Sequence, residues 1–233
     1  MTGTIINVVA IIVGSLLGLV FGSRIPERLK TTVIAGMGLF TAAMGMQMFV
    51  KSENQLIVLG ALILGILVGE ILGIEDGLQA LGQKLEQRFS RDTETGSGSR
   101  FVRGFMVSSL LFCIGPMAIL GSIQDGLTGD YNLLAVKSTL DGFASIAFAS
   151  TLGIGVMFSS VILLVYQGGI SLLAAQLSAI VTAPMMNEMT ATGGVLLLGL
   201  GISNLLEIKK IRVGNFLPAL IFAPLIVWVL SKF

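Results

Sequence analysis

Residues 56–74 read LIVLGALILGILVGEILGI, an unbroken apolar run whose one charge, Glu70, stands near its far end. About twenty such residues in helical form cross the hydrocarbon core of a bilayer. An amphipathic helix of a soluble domain would show polar residues every third or fourth position, and this stretch shows none until Glu70. It reads as a membrane-spanning helix.

The surrounding chain has the same character. Charged residues make up 12% of 233 positions, and the mean hydropathy is +0.95. Soluble domains carry about 25% charge, so a chain this apolar expects lipid as its solvent and partner. Eight apolar stretches follow: Thr4 to Gly22, Leu29 to Val50, Leu56 to Ile74, Phe105 to Gln124, Asn132 to Leu152, Gly155 to Val181, Thr190 to Leu206 and Val213 to Leu230. The expected class is an all-α polytopic membrane protein of about eight helices. The first segment lacks a basic n-region and an A-x-A site, and reads as a retained helix rather than a signal peptide.

Several chemistries are set aside. With no histidine, imidazole-built metal sites and Ser-His catalysis are absent, and the lone Cys113 forms no internal disulfide. No enzyme activity and no cofactor are expected. A net charge of +1 gives no footing for nucleic acid.

Orientation is read from Lys and Arg in the loops. Arg24, Arg28 and Lys30 follow helix 1; Lys84, Arg88, Arg91, Arg100 and Arg103 follow helix 3; Lys209, Lys210 and Arg212 follow helix 7. All eleven lie on one side of an eight-helix arrangement, leaving Lys51, Lys137 and Lys232 for the other. Both termini are therefore expected outside the cytoplasm.

A single membrane domain, 1–233, divides at its one sizeable connection. Residues 1–74 hold three helices, and 75–103 form a cytoplasmic linker. In the linker Leu78, Leu81, Leu85 and Phe89 suit a helix lying at the interface, followed by the polar run Ser90–Ser99. Residues 104–130 form a connector helix, 131–208 hold three more helices, and 209–233 the last. Gly60–Ile74 aligns without gaps on Gly194–Ile208, and two weaker matches precede it in the same order. Gly14–Gly18 faces Ala149–Gly153, and Gly36 with Ala42-Ala43 faces Gly168 with Ala174-Ala175. These matches point to duplication of a three-helix unit, helices 1–3 and 5–7, with the repeats parallel. Shared small-residue bias would produce the same matches.

Two glycine ladders, Gly14/Gly18/Gly22 and Gly65/Gly69/Gly73, strip a helix face to backbone. Such faces pack statically, slide during transport, or join copies into a homo-oligomer.

The polar groups inside the spans carry the chemistry. Asp141 lies about ten residues into helix 5, where a charge costs ~2.5 kcal/mol or more, which marks a functional candidate. Lys137 lies one turn earlier on the same face and Ser138 and Ser145 flank the carboxylate, so a purely structural Lys137–Asp141 pair is the rival reading. Upstream, Gly115-Pro116 breaks helix 4 and frees a carbonyl that can face a cation, in a segment that also holds Gln124 and Asp125. An ordinary kink or a re-entrant hairpin over 113–125 gives the same sequence. Glu70 and Asn204 occupy equivalent places in the two halves and are candidates to face one another. Any bound metal would sit on Asp141. Asn7, Gln47, Gln167, Gln176, Asn187 and Glu188 line a path or make interhelical hydrogen bonds, and the eleven methionines read as packing.

Residues 113–156, CIGPMAILGSIQDGLTGDYNLLAVKSTLDGFASIAFASTLGIGV, and the ending LLEIKKIRVGNFLPALI resemble the YdfK/YqgA-like family of bacterial inner-membrane proteins. The resemblance spans the whole chain and implies a multi-pass membrane protein, with no activity to carry over. Asp141-Gly-Phe-Ala144 and the Gly193–Gly199 run are more faintly similar to manganese-exporter and LysE-type transporters. Together these readings predict a transporter of a small ion or small solute, cation- or proton-coupled. A channel and a non-transporting scaffold are the alternatives.

Overall fold

The fold is known from a computed structural model, which describes residues 1–22, 24–89 and 97–232. Its helices are α1 (Thr2–Gly22), α2 (Glu27–Phe49), α3 (Gln55–Leu72), α4 (Ile74–Phe89), α5 (Ser97–Cys113), α6 (Pro116–Thr128), α7 (Asn132–Leu152), α8 (Gly155–Leu172), α9 (Ala174–Ser178), α10 (Ala183–Leu200) and α11 (Ala219–Leu230). A π turn, Gly201–Leu205, extends α10, and a 3₁₀ turn, Val213–Phe216, precedes α11. Residues 90–96 of the expected polar run lie outside the described residues, and the chain is already helical from Ser97.

Among the described residues six helices are long and apolar enough to cross a membrane, or seven if the bent pair α5–α6 counts as one span. The chain is an all-α membrane protein. The seventh expected stretch, Thr190–Leu206, falls in α10 and its π turn. α10 begins earlier, at Ala183, where Thr182 caps it and Pro184 sits in the first turn, and it takes in Asn187 and Glu188. Those two polar residues keep it out of the set of uniformly apolar spans. The expected Gly155–Val181 helix also divides, into α8 and the short α9.

The helices pack as two units, each drawing on both sides of the linker: residues 1–35, 79–113 and 117–179 form the first, and 36–78, 114–116 and 180–233 the second.

In the first unit α1 and α7 run parallel in near-backbone contact. Gly14 meets the carbonyl of Gly142, Gly18 that of Ile146, and Gly22 that of Ser150; a Cβ at Gly22 would lie 2.8 Å from the Ser150 Cα. Only glycine permits that approach, so the first ladder is spent inside the chain. α8 runs back beside them. Its first residue, Gly155, packs on the Phe101 backbone of α5, while Ser171 at its other end donates to the Ser122 carbonyl of α6 at 3.0 Å. The α5–α6 pair is bent by 62° and meets α8 near both of its ends, α5 at Gly155 and α6 at Ser171. α4 is helical as expected. Its Gly82 sits over Phe105 and its Leu85 joins Phe101, Val102, Phe105, Met106 and Phe158, so part of the stripe assigned to the interface covers protein.

In the second unit α3 and α11 run antiparallel, Gly65 against Ala219 and Gly69 against the Asn215 backbone. Gly73, third in that ladder, is instead the C-cap of α3, with φ 60° and ψ 42°. α2 and α10 cross antiparallel with Gly45 against Gly194. Gly14, Gly18, Gly22, Gly65 and Gly69 are thus covered within their own units.

Candidate functional site

Helix periodicity puts Lys137, Ser138, Asp141, Ser145 and Phe148 on the buried face of α7. α1 brings Thr4, Asn7, Ile11 and Ser15 to that face, and α8 brings Leu163, Gln167 and Ser171 inward. The parallel register of α1 and α7, fixed by the glycine ladder, sets Asn7 beside Asp141.

The result is a buried polar cluster. Asp141 is 8% exposed and Lys137 6%, while Asn7 and Gln167 are fully buried. The Lys137 Nζ bonds to the Asp141 Oδ2 in a close ion pair. Asn7 Nδ2 donates to the same Oδ2 at 3.0 Å and lies 3.5 Å from the Gln167 Oε1. An ionised carboxylate only accepts, so Asn7 must present its amide nitrogen to it and turn its carbonyl oxygen away. Both bonds to Asp141 fall on Oδ2, and Oδ1 carries none among the described residues. Asn7 Oδ1, Gln167 Nε2 and the Ser145 hydroxyl are buried without a hydrogen bond among the described residues. Ser138, by contrast, bonds back to the Leu134 carbonyl at 2.6 Å. The Phe112 ring of α5 lies 5.9 Å below Lys137, at the edge of cation–π range. A carboxylate, an ammonium and orphaned amides held inside transmembrane helices can take up and release a small charged or hydrogen-bonding solute.

The structure brings Asp141, Lys137, Ser138 and Ser145 together. Gly115 and Pro116, the elbow between α5 and α6, belong by packing to the other unit from Asp141. Pro116 opens α6, where its missing N–H leaves no helical bond unmade. Gln124 is exposed on α6 and takes no part in the buried cluster. Asp125 on the next position is buried, accepting from the Gly3 amide at 3.1 Å and lying 3.1 Å from the Met1 ammonium, so it anchors α6 to the start of α1. Glu70 is exposed and pairs with Arg212 at 3.4 Å, and Asn204 lies in the π turn after α10.

Asn7 and Gln167 carry more of the site than their sequence signal suggested. Each is an amide inside an apolar helix, the signal that marked them; the meeting of Asn7 with Asp141, and of Gln167 with Asn7, depends on packing. A second polar knot was not foreseen. At the α3–α4 junction Glu75 N donates to Asn215 Oδ1 at 2.7 Å, and Gly214 N returns a 2.6 Å bond to Glu75 Oε2. Burial pushes the Glu75 carboxyl above its ordinary value, against the Gly214 amide and Arg212, which pull it down. Glu188 forms a third knot, accepting from Ser52 Oγ, Glu53 N and Asn54 N at 2.7–2.9 Å and so fastening α10 to the loop before α3.

A family model described as protein of unknown function (DUF554) matches residues 2–228. The chain belongs to the DUF554 family. This DUF554 protein is 34% identical over 237 residues to "Uncharacterized membrane protein YdfK" of Bacillus subtilis (strain 168), covering 100% of this chain and 98% of that one. It is likewise 34% identical over 221 residues to "Uncharacterized protein YqgA" of Escherichia coli (strain K12), covering 95% and 94%. The family resemblance read from residues 113–156 and 205–221 is thus shown. The fainter similarity to manganese-exporter and LysE-type transporters is not. No solved structure matches the DUF554 chain.

Proposed function

We propose that this protein transports a small ion or small solute across the bacterial inner membrane, coupled to a cation or proton, with Asp141 as the coupling group. The observation that carries the reading is the Lys137–Asp141–Asn7 cluster, buried among helices long and apolar enough to span a bilayer. A purely structural ion pair is an expensive way to order a helix bundle, since desolvation offsets most of the Coulomb gain. A carboxylate with one oxygen uncommitted, ringed by unpartnered amide and hydroxyl groups, is arranged for a ligand that comes and goes. Asn7 and Gln167 are positioning residues in this reading. The basic loops belong in the cytoplasm and both termini outside it.

The test is reconstitution of the full chain in lipid vesicles, with uptake of alkali and divalent cations and a panel of amino acids followed in the presence of a pH gradient. Saturable, gradient-driven uptake should fall at least tenfold in Asp141→Asn. Equal uptake by wild type and variant, or conduction that does not saturate, would overturn the assignment.

A further inference from the structure

The cluster that couples transport already contains a cation of its own. Lys137 lies one helical turn before Asp141, and its ammonium occupies the carboxylate oxygen that Asn7 also binds. Among the described residues the other oxygen, Oδ1, has no partner, and the Asp141 side chain keeps 12% exposure. One turn further along the same face of α7 stands the buried Ser145 hydroxyl, and Asn7, bonded to Oδ2 through its nitrogen, keeps its own oxygen; among the described residues neither oxygen has a hydrogen-bond partner. These are hard oxygen donors, the kind that replace the hydration shell of an alkali cation or accept from the N–H groups of an organic ammonium.

From this geometry we propose that Asp141 binds a monovalent cation and that Lys137 is its tethered competitor, holding the carboxylate whenever the transported cation is away. The inference deepens the transport reading and rests on it for the word transported; the competition itself is a statement about binding.

Charge counting sets the valence. The pair is neutral, and the site offers one carboxylate; among the described residues no three His, Cys, Asp or Glu side chains come together. A monovalent ion that takes the place of the Lys137 ammonium leaves the carboxylate neutralised as before. A divalent ion leaves an excess positive charge in a low-dielectric interior, which is costly. Lysine suits the competing role. Its ammonium is a compact charge on a flexible four-carbon stem, so it can withdraw along α7 toward the nearer helix end while its stem stays on apolar surface. Other charged or titratable groups do not supply a substitute: α1 contributes none at this level, α5 brings Cys113 and α8 Tyr166, and Asp125 of α6 is engaged at Gly3.

The experiment measures binding to the full chain in detergent, with lithium, sodium, potassium or methylammonium chloride as probes and choline chloride as the ionic-strength control. Affinity is taken from the dependence of the thermal midpoint on probe concentration. Wild type should bind at least one probe weakly, and Lys137→Met, which removes the competitor, should bind it at least tenfold more tightly. Lys137→Arg, which places a forked guanidinium over both carboxylate oxygens, should bind it at least tenfold more weakly, and this variant decides the question where Lys137→Met does not fold. Asp141→Asn combined with Lys137→Met should bind none of the probes. Unchanged affinity in Lys137→Met or Lys137→Arg, or no probe-specific effect in any variant, overturns the proposal. The arms separate metal from ammonium, and the two readings fail separately. Tighter binding in Lys137→Met without vesicle uptake keeps the competitor and removes the transporter. Uptake of some solute without these affinity changes does the reverse.

Discussion

Asn7 of α1 and Lys137 of α7 converge on one oxygen of Asp141, from positions 134 and 4 residues away in the chain. The near partner is set by helix geometry alone. The distant one is set by the α1–α7 register, so the chemistry of the site depends on a glycine ladder that touches no ligand.

The first prediction concerns the pair as a pair. Removing one partner of a buried ion pair strands a charge and costs about 3–5 kcal/mol, whereas removing both is often nearly neutral. Lys137→Met and Asp141→Leu should each lower the thermal midpoint in detergent sharply, and the double variant should recover most of the loss. Additive losses would mean the two groups do not sense one another in the folded protein.

The second contrasts two glycines. At Gly18 an added Cβ meets the Ile146 carbonyl and comes within 3.0 Å of the Ala149 Cβ, while at Gly36 nothing lies within 4 Å. Gly18→Ala should destabilise by about 1–3 kcal/mol through overpacking. Gly36→Ala, in the exposed interior of α2, should stabilise by up to about 1 kcal/mol through helix propensity. Thermal unfolding of the two purified variants in one detergent makes the comparison.

The third concerns orientation. In a Cys113→Ser background, Asn132→Cys should react with a membrane-impermeant maleimide in intact cells, and Ser97→Cys only after permeabilisation. The opposite pattern inverts the assigned topology.

The fourth uses Glu75. Burial raises its folded-state pKa above the unfolded value of about 4.3. Between the two values the folded protein holds more protons than the unfolded chain, so its stability declines as pH rises through that window and levels off above it. Glu75→Gln keeps an oxygen for the Gly214 amide and removes the proton. Its midpoint should be flatter than that of wild type from pH 4 upward, and matching slopes would exclude Glu75 as the source.

Much of this was legible in residues. The span at 56–74 is α3 almost to the residue, because a long apolar run has one outcome in a bilayer. The Gly115-Pro116 break appeared where a missing amide donor and a flexible neighbour meet. Lys137 and Asp141 could be paired from spacing alone, since i and i+4 share a face. Asn7 and Gln167 could be marked as intramembrane amides but not placed, because register between helices over a hundred residues apart is written in no local pattern. Gln124 shows the same limit from the other side. It and Asp125 are neighbours in a polar segment, yet a helix turns consecutive residues about 100° apart, and only Asp125 faces inward.

The parallel clasp of α1 and α7 also fixes an order of events during synthesis. α1 is made well before α7, and the partner for its Asn7 follows 134 residues later. At about 5–20 residues per second, that interval is on the order of ten seconds. Throughout it Thr4, Asn7 and Ser15, all buried in the finished protein, have no α7 to cover them. A ribosome stalled before residue 150 therefore leaves a helix whose polar stripe faces lipid or whatever insertion machinery shields it, and such a nascent chain should be a ready substrate for membrane quality-control proteases.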